Sequence, residues 1–179
     1  MPQEIKLMMN DIFSHKIISS TPKQTQDIGF YIGKIIRPGD ILLMIGNLGA
    51  GKTCLTQGIA RGMGIKEYTS SPSFVLVKEY QGKIPLFHID LYRIDRIEEI
   101  SDLGLDDYLY GNGVCVIEWA DRAIDFLPAE NMLIKITATS KTSRNLEFLP
   151  YGKRYIKLLT DLKTLSQKKE KGTINAINY

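Results

Sequence analysis

The sequence predicts an α/β fold: three layers built on a mixed, largely parallel sheet, with antiparallel strands added late in the chain. Three observations predict it. The continuous apolar runs at residues 41–45 and 114–117 have strand length and suit strands buried on both faces. Segments with helical spacing alternate with such runs, as βα units require. Residues 132–137, 145–149 and 155–159 then follow one another with alternating character and no helix between them, which reads as a set of late antiparallel strands.

The elements follow in order. Residues 1–20 form a lead-in without a clear pattern. Ser20-Thr21-Pro22 marks a helix start, a hydroxyl cap followed by proline in the first turn. Ile28, Ile32, Ile35 and Ile36 continue that helix to about Arg37, and Pro38-Gly39-Asp40 turns the chain into the first buried strand. A glycine-rich loop at residues 46–51 leads into a second helix, with Leu55, Ile59, Ala60 and Met63 on one face and Gly64 as its stop. Residues 74–80 and 84–89 read as two strands joined by Gln81-Gly82-Lys83. Residues 95–110 are acidic, with Ile97, Ile100, Leu103 and Leu105 suggesting one or two short helices. Residues 120–126 suggest a short helix stopped by Pro128. The expected organisation is a lead-in at 1–20, one domain at 21–160 and a basic, flexible tail at 161–179.

Composition narrows the classes. The chain has 179 residues, 44% hydrophobic and 24% charged, which fits one globular domain with a real core. The net charge of +3 is unevenly spread. Residues 151–179 carry +5 and the first 150 carry −2, so the body does not suit a broad basic face gripping nucleic acid. No apolar run is long enough for a bilayer span, and no basic start followed by an apolar stretch signals export. Cys54 and Cys115 are the two cysteines and are far apart, which argues against a disulfide framework or zinc cluster and for a reducing, cytoplasmic setting.

The strongest chemical signal is Gly46-Asn47-Leu48-Gly49-Ala50-Gly51-Lys52-Thr53, which fits G-x-x-x-x-G-K-[ST] between a buried strand and a helix. This makes the expected fold a P-loop NTPase type. Glycines let backbone N–H groups converge on phosphate oxygens, and the helix N-terminus adds partial positive charge. Lys52 then reaches the β- and γ-phosphates, and Thr53 offers its hydroxyl to Mg²⁺. The loop positions Leu48, Gly49, Ala50, Gly51, Lys52, Thr53 and Cys54 are the candidate nucleotide contacts.

Such a loop needs an acid on a neighbouring strand. Glu118 ends the apolar run at 114–117, and Asp90 ends Leu86-Phe87-His88-Ile89. His88 shares a strand face with Asp90 and, by itself, reads as a packed histidine. Trp119, the single tryptophan, reads as core packing on residue type alone. No Asp has Gly three places on and no Asn precedes Lys, so the guanine-reading motifs of GTPases are missing and ATP is favoured. A small-molecule kinase would use an Arg-rich lid, for which Arg93 and Arg96 are the nearest candidates. A nucleotide-gated interaction module is the other alternative.

Gly46 to Thr53, Ser71-Pro72-Ser73-Phe74, His88-Ile89-Asp90-Leu91-Tyr92-Arg93 and Ile117-Glu118-Trp119, in this order and spacing, resemble the bacterial TsaE family, also called YjeE. The resemblance covers about residues 21–152. It implies an ATPase required for threonylcarbamoyladenosine (t6A) formation on tRNA, using ATP and Mg²⁺; because the sequence offers no arginine finger, turnover alone is expected to be weak and to be stimulated by partners. Those partners are TsaD, which carries the transfer chemistry, and TsaB; tRNA is met mainly through the complex, and no membrane is involved. By the same resemblance, Thr53 and Glu118 would hold Mg²⁺, and Asp90 would help bind the metal or place the attacking water. Trp119 would sit near the nucleotide, Thr25 near the adenine, and Arg144 within reach of the nucleotide. Residues 71–74 would respond to the γ-phosphate. The chain departs from the family pattern at Asn47, Ser73 and Cys54, where Asp, Thr and Thr are usual.

Overall fold

The computed structural model describes residues 14–170 apart from 95, 97–98 and 101–102, with residues 166–170 described by backbone alone. The elements are β1 (His15–Ser19), α1 (Pro22–Ile35), β2 (Ile41–Ile45), α2 (Lys52–Gly62), β3 (Val77–Tyr80), β4 (Leu86–Asp90), α3 (Leu105–Leu109), β5 (Val114–Glu118), β6 (Asn131–Ala138), β7 (Arg144–Tyr151) and α4 (Lys153–Glu170). Two 3₁₀ turns, Ala120–Arg122 and Ile124–Phe126, stand where a short helix is expected. One sheet takes all seven strands in the order β1-β7-β6-β2-β5-β4-β3. β6, β2, β5 and β4 are parallel, while β1–β7, β6–β7 and β3–β4 are antiparallel. The mixed, largely parallel sheet with late antiparallel strands is therefore observed.

The central strands are apolar on both faces because both faces are covered. Leu42, Met44, Val114, Val116, Met132 and Ile134 pack against Ile32, Leu55, Ile59, Leu158 and Leu162 from α1, α2 and α4. Leu43, Ile89, Cys115 and Ile117 pack on the opposite face with Leu91, Leu105, Leu109, Ala120 and Leu127. Thr21 caps α1 by accepting from the Gln24 N–H, with Pro22 in the first turn. α1 and α2 lie unusually close. A Cβ on Gly58 would meet the Gln26 carbonyl at 2.1 Å, and one on Gly33 would meet the Ile59 carbonyl at 2.2 Å, so backbone packs against backbone along this seam.

Two strand expectations are corrected, at residues 155–159 and 74–80. Residues 155–159 are helical, within α4. Tyr155, Leu158, Leu159 and Leu162 are all buried, a spacing of helical rather than alternating period. β7 already has β6 on one side and β1 on the other, which leaves no edge for a further strand there. The expected lead-in contains β1, and its residues 1–13 lie outside the described residues. β1 pairs with β7 from more than 120 positions away, with His15 opposite Phe148, so no local pattern announces it. The strand expected from residue 74 begins at Val77. Before it, the N–H groups of Val75 and Leu76 both donate to the Pro72 carbonyl, and Leu76 sits at φ 64°, so the chain is turned rather than extended. Of the acidic stretch at 95–110, α3 is helical, and 95, 97–98 and 101–102 lie outside the described residues. In the expected tail at 161–179, α4 runs on to Glu170, while residues 171–179 lie outside the described residues.

Candidate nucleotide site

The parallel order places β2 between β6 and β5, so the loop leaving β2 emerges beside the C-terminal ends of β5 and β4. This is where ligands sit on open parallel sheets. Asp90 and Glu118 are opposite each other in the β4–β5 register, which brings the two carboxylates to one edge of one cleft. The cleft has a volume of about 340 Å³ and is lined by residues 48–54, Ser71, Ser73, Asp90, Tyr92, Arg93, Glu118 and Trp119.

Gly51, at φ 106°, is the N-cap of α2 and brings no capping side chain, so the first-turn N–H groups of the helix face the cleft. Lys52 follows it. Its Nζ donates to the carbonyls of Gly46 at 2.6 Å and Asn47 at 3.1 Å, and lies 3.8 Å from the Trp119 ring centroid. Burial pulls the Lys52 pKa below its usual value, while the carboxylates of Glu118, Asp90 and Asp121 pull the other way.

Glu118 is buried and is the hub of the site. Oε2 accepts from the Thr53 hydroxyl at 3.1 Å. Oε1 lies 2.8 Å from His88 Nε2 and 3.5 Å from the Thr56 hydroxyl. Asp90 is buried beside it. Its Oδ2 accepts from Ser71 Oγ at 2.5 Å, and its Oδ1 accepts from the Tyr92 N–H at 3.0 Å. Trp119 takes a left-handed backbone, φ 57°, directly after Glu118, and its ring packs on Tyr92 at 4.9 Å. Non-glycine residues rarely hold that conformation, and it is concentrated at functional sites. Here it turns the chain sharply so that the indole covers Lys52.

Two other sequence candidates are placed differently. Arg144 lies behind the loop. Its Nε donates to the Ala50 carbonyl at 2.7 Å and its Nη2 to the Gly49 carbonyl at 3.2 Å, so it braces the loop from β7. Thr25 is buried in α1, its hydroxyl 2.7 Å from Ser19 Oγ, and does not line the cleft. Cys54 does line it, with its thiol 3.4 Å from the Pro22 carbonyl and its pKa raised by burial.

The oxygen donors Thr53, Glu118 and Asp90 suit a hard cation such as Mg²⁺. Among the described residues, no group of three or more His, Cys, Asp or Glu side chains forms a metal cage. Sequence reasoning missed the ties of His88 and Thr56 to Glu118. Thr56 stands one helical turn after Lys52, a spacing that could have placed it on the inner face of α2. Among the described residues, no helix is long and apolar enough to cross a membrane.

Comparison with known proteins gives a consistent result. Residues 19–146 match the family model described as "Threonylcarbamoyl adenosine biosynthesis protein TsaE". The chain is 42% identical over 142 residues to the tRNA threonylcarbamoyladenosine biosynthesis protein TsaE of Bacillus subtilis, covering 79% of this chain and 89% of that protein. It is 35% identical over 131 residues to the protein of the same name from Treponema pallidum, covering 73% of this chain and 97% of that one. Its fold matches the crystal structure of Bacillus subtilis YdiB with a TM-score of 0.76 at 36% identity, covering 86% of this chain and 96% of the other.

Proposed function

The chain belongs to the TsaE family, and we propose from that premise that it is a Mg²⁺-dependent ATP hydrolase serving t6A formation on tRNA together with TsaD and TsaB. The observation that carries this reading is the Thr53–Glu118 hydrogen bond of 3.1 Å beneath a glycine loop with Lys52 at its end. That bond joins the loop hydroxyl to the strand-end acid, the pairing that nucleotide–Mg²⁺ sites of this type require.

The proposed division of labour follows from the positions of the side chains. The α2 N-terminus and the loop amides hold phosphate oxygens. Lys52 leaves the loop carbonyls to pair with the transferring phosphoryl group, and its charge stabilises that group as negative charge shifts in the transition state. Thr53 and Glu118 would hold Mg²⁺, whose chemistry is to neutralise the phosphate charge. Asp90 accepts a hydrogen bond from the attacking water and orients it. Trp119, packed on Tyr92, covers Lys52 and keeps bulk water from it. Arg144 already braces the carbonyls of Gly49 and Ala50, so it serves loop shape more directly than phosphate charge.

The interaction-module reading gains from one observation. Ser71, bonded to Asp90, begins a turn that holds Phe74 and Val75 exposed. A change at the phosphate end of the cleft would therefore move an apolar surface, and hydrolysis and partner contact become two ends of one device. The test is ADP release from ATP with Mg²⁺ and no acceptor, followed by addition of TsaD and TsaB. Slow acceptor-independent release that rises with the partners is expected. Release that requires a small phosphate acceptor would instead establish a kinase.

A further inference from the structure

His88 lies at the middle of the site without lining the cleft. It is fully buried on β4, beneath the pair of acids, and has two hydrogen-bonding nitrogens. Nε2 is 2.8 Å from Glu118 Oε1. A carboxylate oxygen only accepts, so Nε2 carries the hydrogen in this contact. Nδ1 is buried and has no hydrogen-bond partner among the described residues. The ring therefore spends its one polar contact on Glu118, and a buried histidine that leaves its other nitrogen unpaired calls for a reason beyond packing.

Geometry supplies that reason. Pairing with Met44 of β2 and Asp90 of β4 fixes the Glu118 backbone at the end of β5 but leaves the rotamer of its carboxylate to be set by side chains. Three side chains meet it: His88 from β4, and Thr53 and Thr56 from α2, the Thr56 hydroxyl having a closer acceptor in the Lys52 carbonyl at 3.1 Å. The His88 contact is the shortest of the three, at 2.8 Å against 3.1 and 3.5 Å. With Oε1 held from behind, Oε2 is presented to the Thr53 hydroxyl on the cleft side. The Thr53 hydrogen then points at Glu118, and its oxygen lone pairs remain for a cation.

We propose that His88 is a positioning residue: through Nε2–H it fixes the rotamer of Glu118, and through Glu118 it aims the Thr53 hydroxyl at the cation site. The proposal rests on the reading of the cleft as a Mg²⁺–nucleotide site. It predicts a role for a residue that touches neither nucleotide nor metal. Groups that orient a metal-holding side chain in this manner are worth about 10–100-fold in metal affinity or activity.

Two near-isosteric variants of the full chain separate orientation from packing. His88→Gln keeps an N–H donor, and His88→Met fills similar space without one. Circular dichroism and Tm establish that each is folded. The first readout needs no catalysis: the Mg²⁺ concentration that half-saturates binding of a fluorescent, non-hydrolysable ATP analogue. His88→Met should raise it by about 10-fold or more, leave Mg²⁺-free binding of the analogue unchanged, and lower kcat for ATP with little change in KM. His88→Gln should stay within a few-fold of the parent chain in both. In the parent chain, ¹⁵N-histidine NMR should show His88 protonated at Nε2, and Glu118→Ala should shift that signal.

Equal Mg²⁺ dependence in all three proteins would overturn the proposal, and so would a His88→Gln variant as impaired as His88→Met. If the Met variant does not fold, the Gln variant and the NMR signal decide on the same terms. Failure of the hydrolase reading looks different: the parent chain itself would release no ADP, while the effect of His88 on Mg²⁺-supported analogue binding would remain measurable.

Discussion

Glu118 gathers Thr53, Thr56 and His88, and the adjacent Lys52 sits under Trp119. The buried floor of this cleft therefore carries an excess of acids, two carboxylates against one lysine whose pKa burial lowers. A polyanion entering with a divalent cation suits that balance, since the lysine can leave its carbonyl partners and the acids gain a counter-charge. Lys52→Ala removes the one side-chain cation at the loop's end. It should lower the ATP hydrolysis rate by about 10²–10³-fold, the usual cost of losing one donor to developing charge, as read by steady-state ADP release. The loop, Asp90 and Glu118 were legible in the sequence because each stands at the end of a strand-length apolar run. The tie between His88 and Glu118 was not. Alternation tells which face a side chain takes but not which strand will lie beside it, and β4 meets β5 only through the fold. Thr25 was carried by family resemblance alone, and the structure gives it a buried bond to Ser19 instead of a place in the cleft.

At the scale of elements, two contacts hold the layers over the sheet. The first is the glycine seam between α1 and α2. Gly58→Ala would force a methyl group against the Gln26 carbonyl, where only 2.1 Å is available. The helices must separate, at a cost of about 1–3 kcal/mol, and Tm should fall by about 2–4 °C for each kcal/mol in a chain of this size. An unchanged Tm would show that the seam is loose. The second contact is Tyr155 of α4, whose hydroxyl oxygen accepts from the Ile41 N–H at 2.8 Å. Burial raises its pKa from 10.0 to about 12, and burial raises that of Cys115 from 9.0 to about 12. Both groups hold their protons more tightly when folded. Their contribution to stability is therefore complete below about pH 9 and is lost as pH rises toward 12. Urea midpoints measured across that window should fall with pH, and Tyr155→Phe should reduce the slope. The same helix shows why the sequence misleads locally. Tyr155, Ile156, Leu158 and Leu159 crowd into five positions like a strand, and Leu162, which completes the helical period, lies beyond that run.

For the whole molecule, the uneven charge takes on a structural meaning. The basic excess after residue 150 begins on α4, which docks on the sheet through Tyr155, Leu158, Leu159 and Leu162 and turns Lys157 to solvent. Arg154 is not part of a free basic surface, because it pairs with the buried Asp40. The candidate cleft lies at the C-terminal ends of the parallel strands, within the first 150 residues, so it and the basic excess belong to separate parts of the chain. Around the cleft, Leu48, Phe74 and Val75 are exposed while their neighbours Lys52, Asp90 and Glu118 are buried. In the proposed role, a partner docking on this apolar rim would set the rate of hydrolysis. ATP hydrolysis at this cleft, in the same proposed role, supports t6A formation. The most direct measurement is t6A formed on tRNA in a reconstitution with TsaD and TsaB, comparing the parent chain with Lys52→Ala. Modification should proceed with the parent chain and ATP, and stop both with Lys52→Ala and with a non-hydrolysable ATP analogue. Equal t6A from the parent chain and Lys52→Ala would show that modification does not depend on hydrolysis at this cleft.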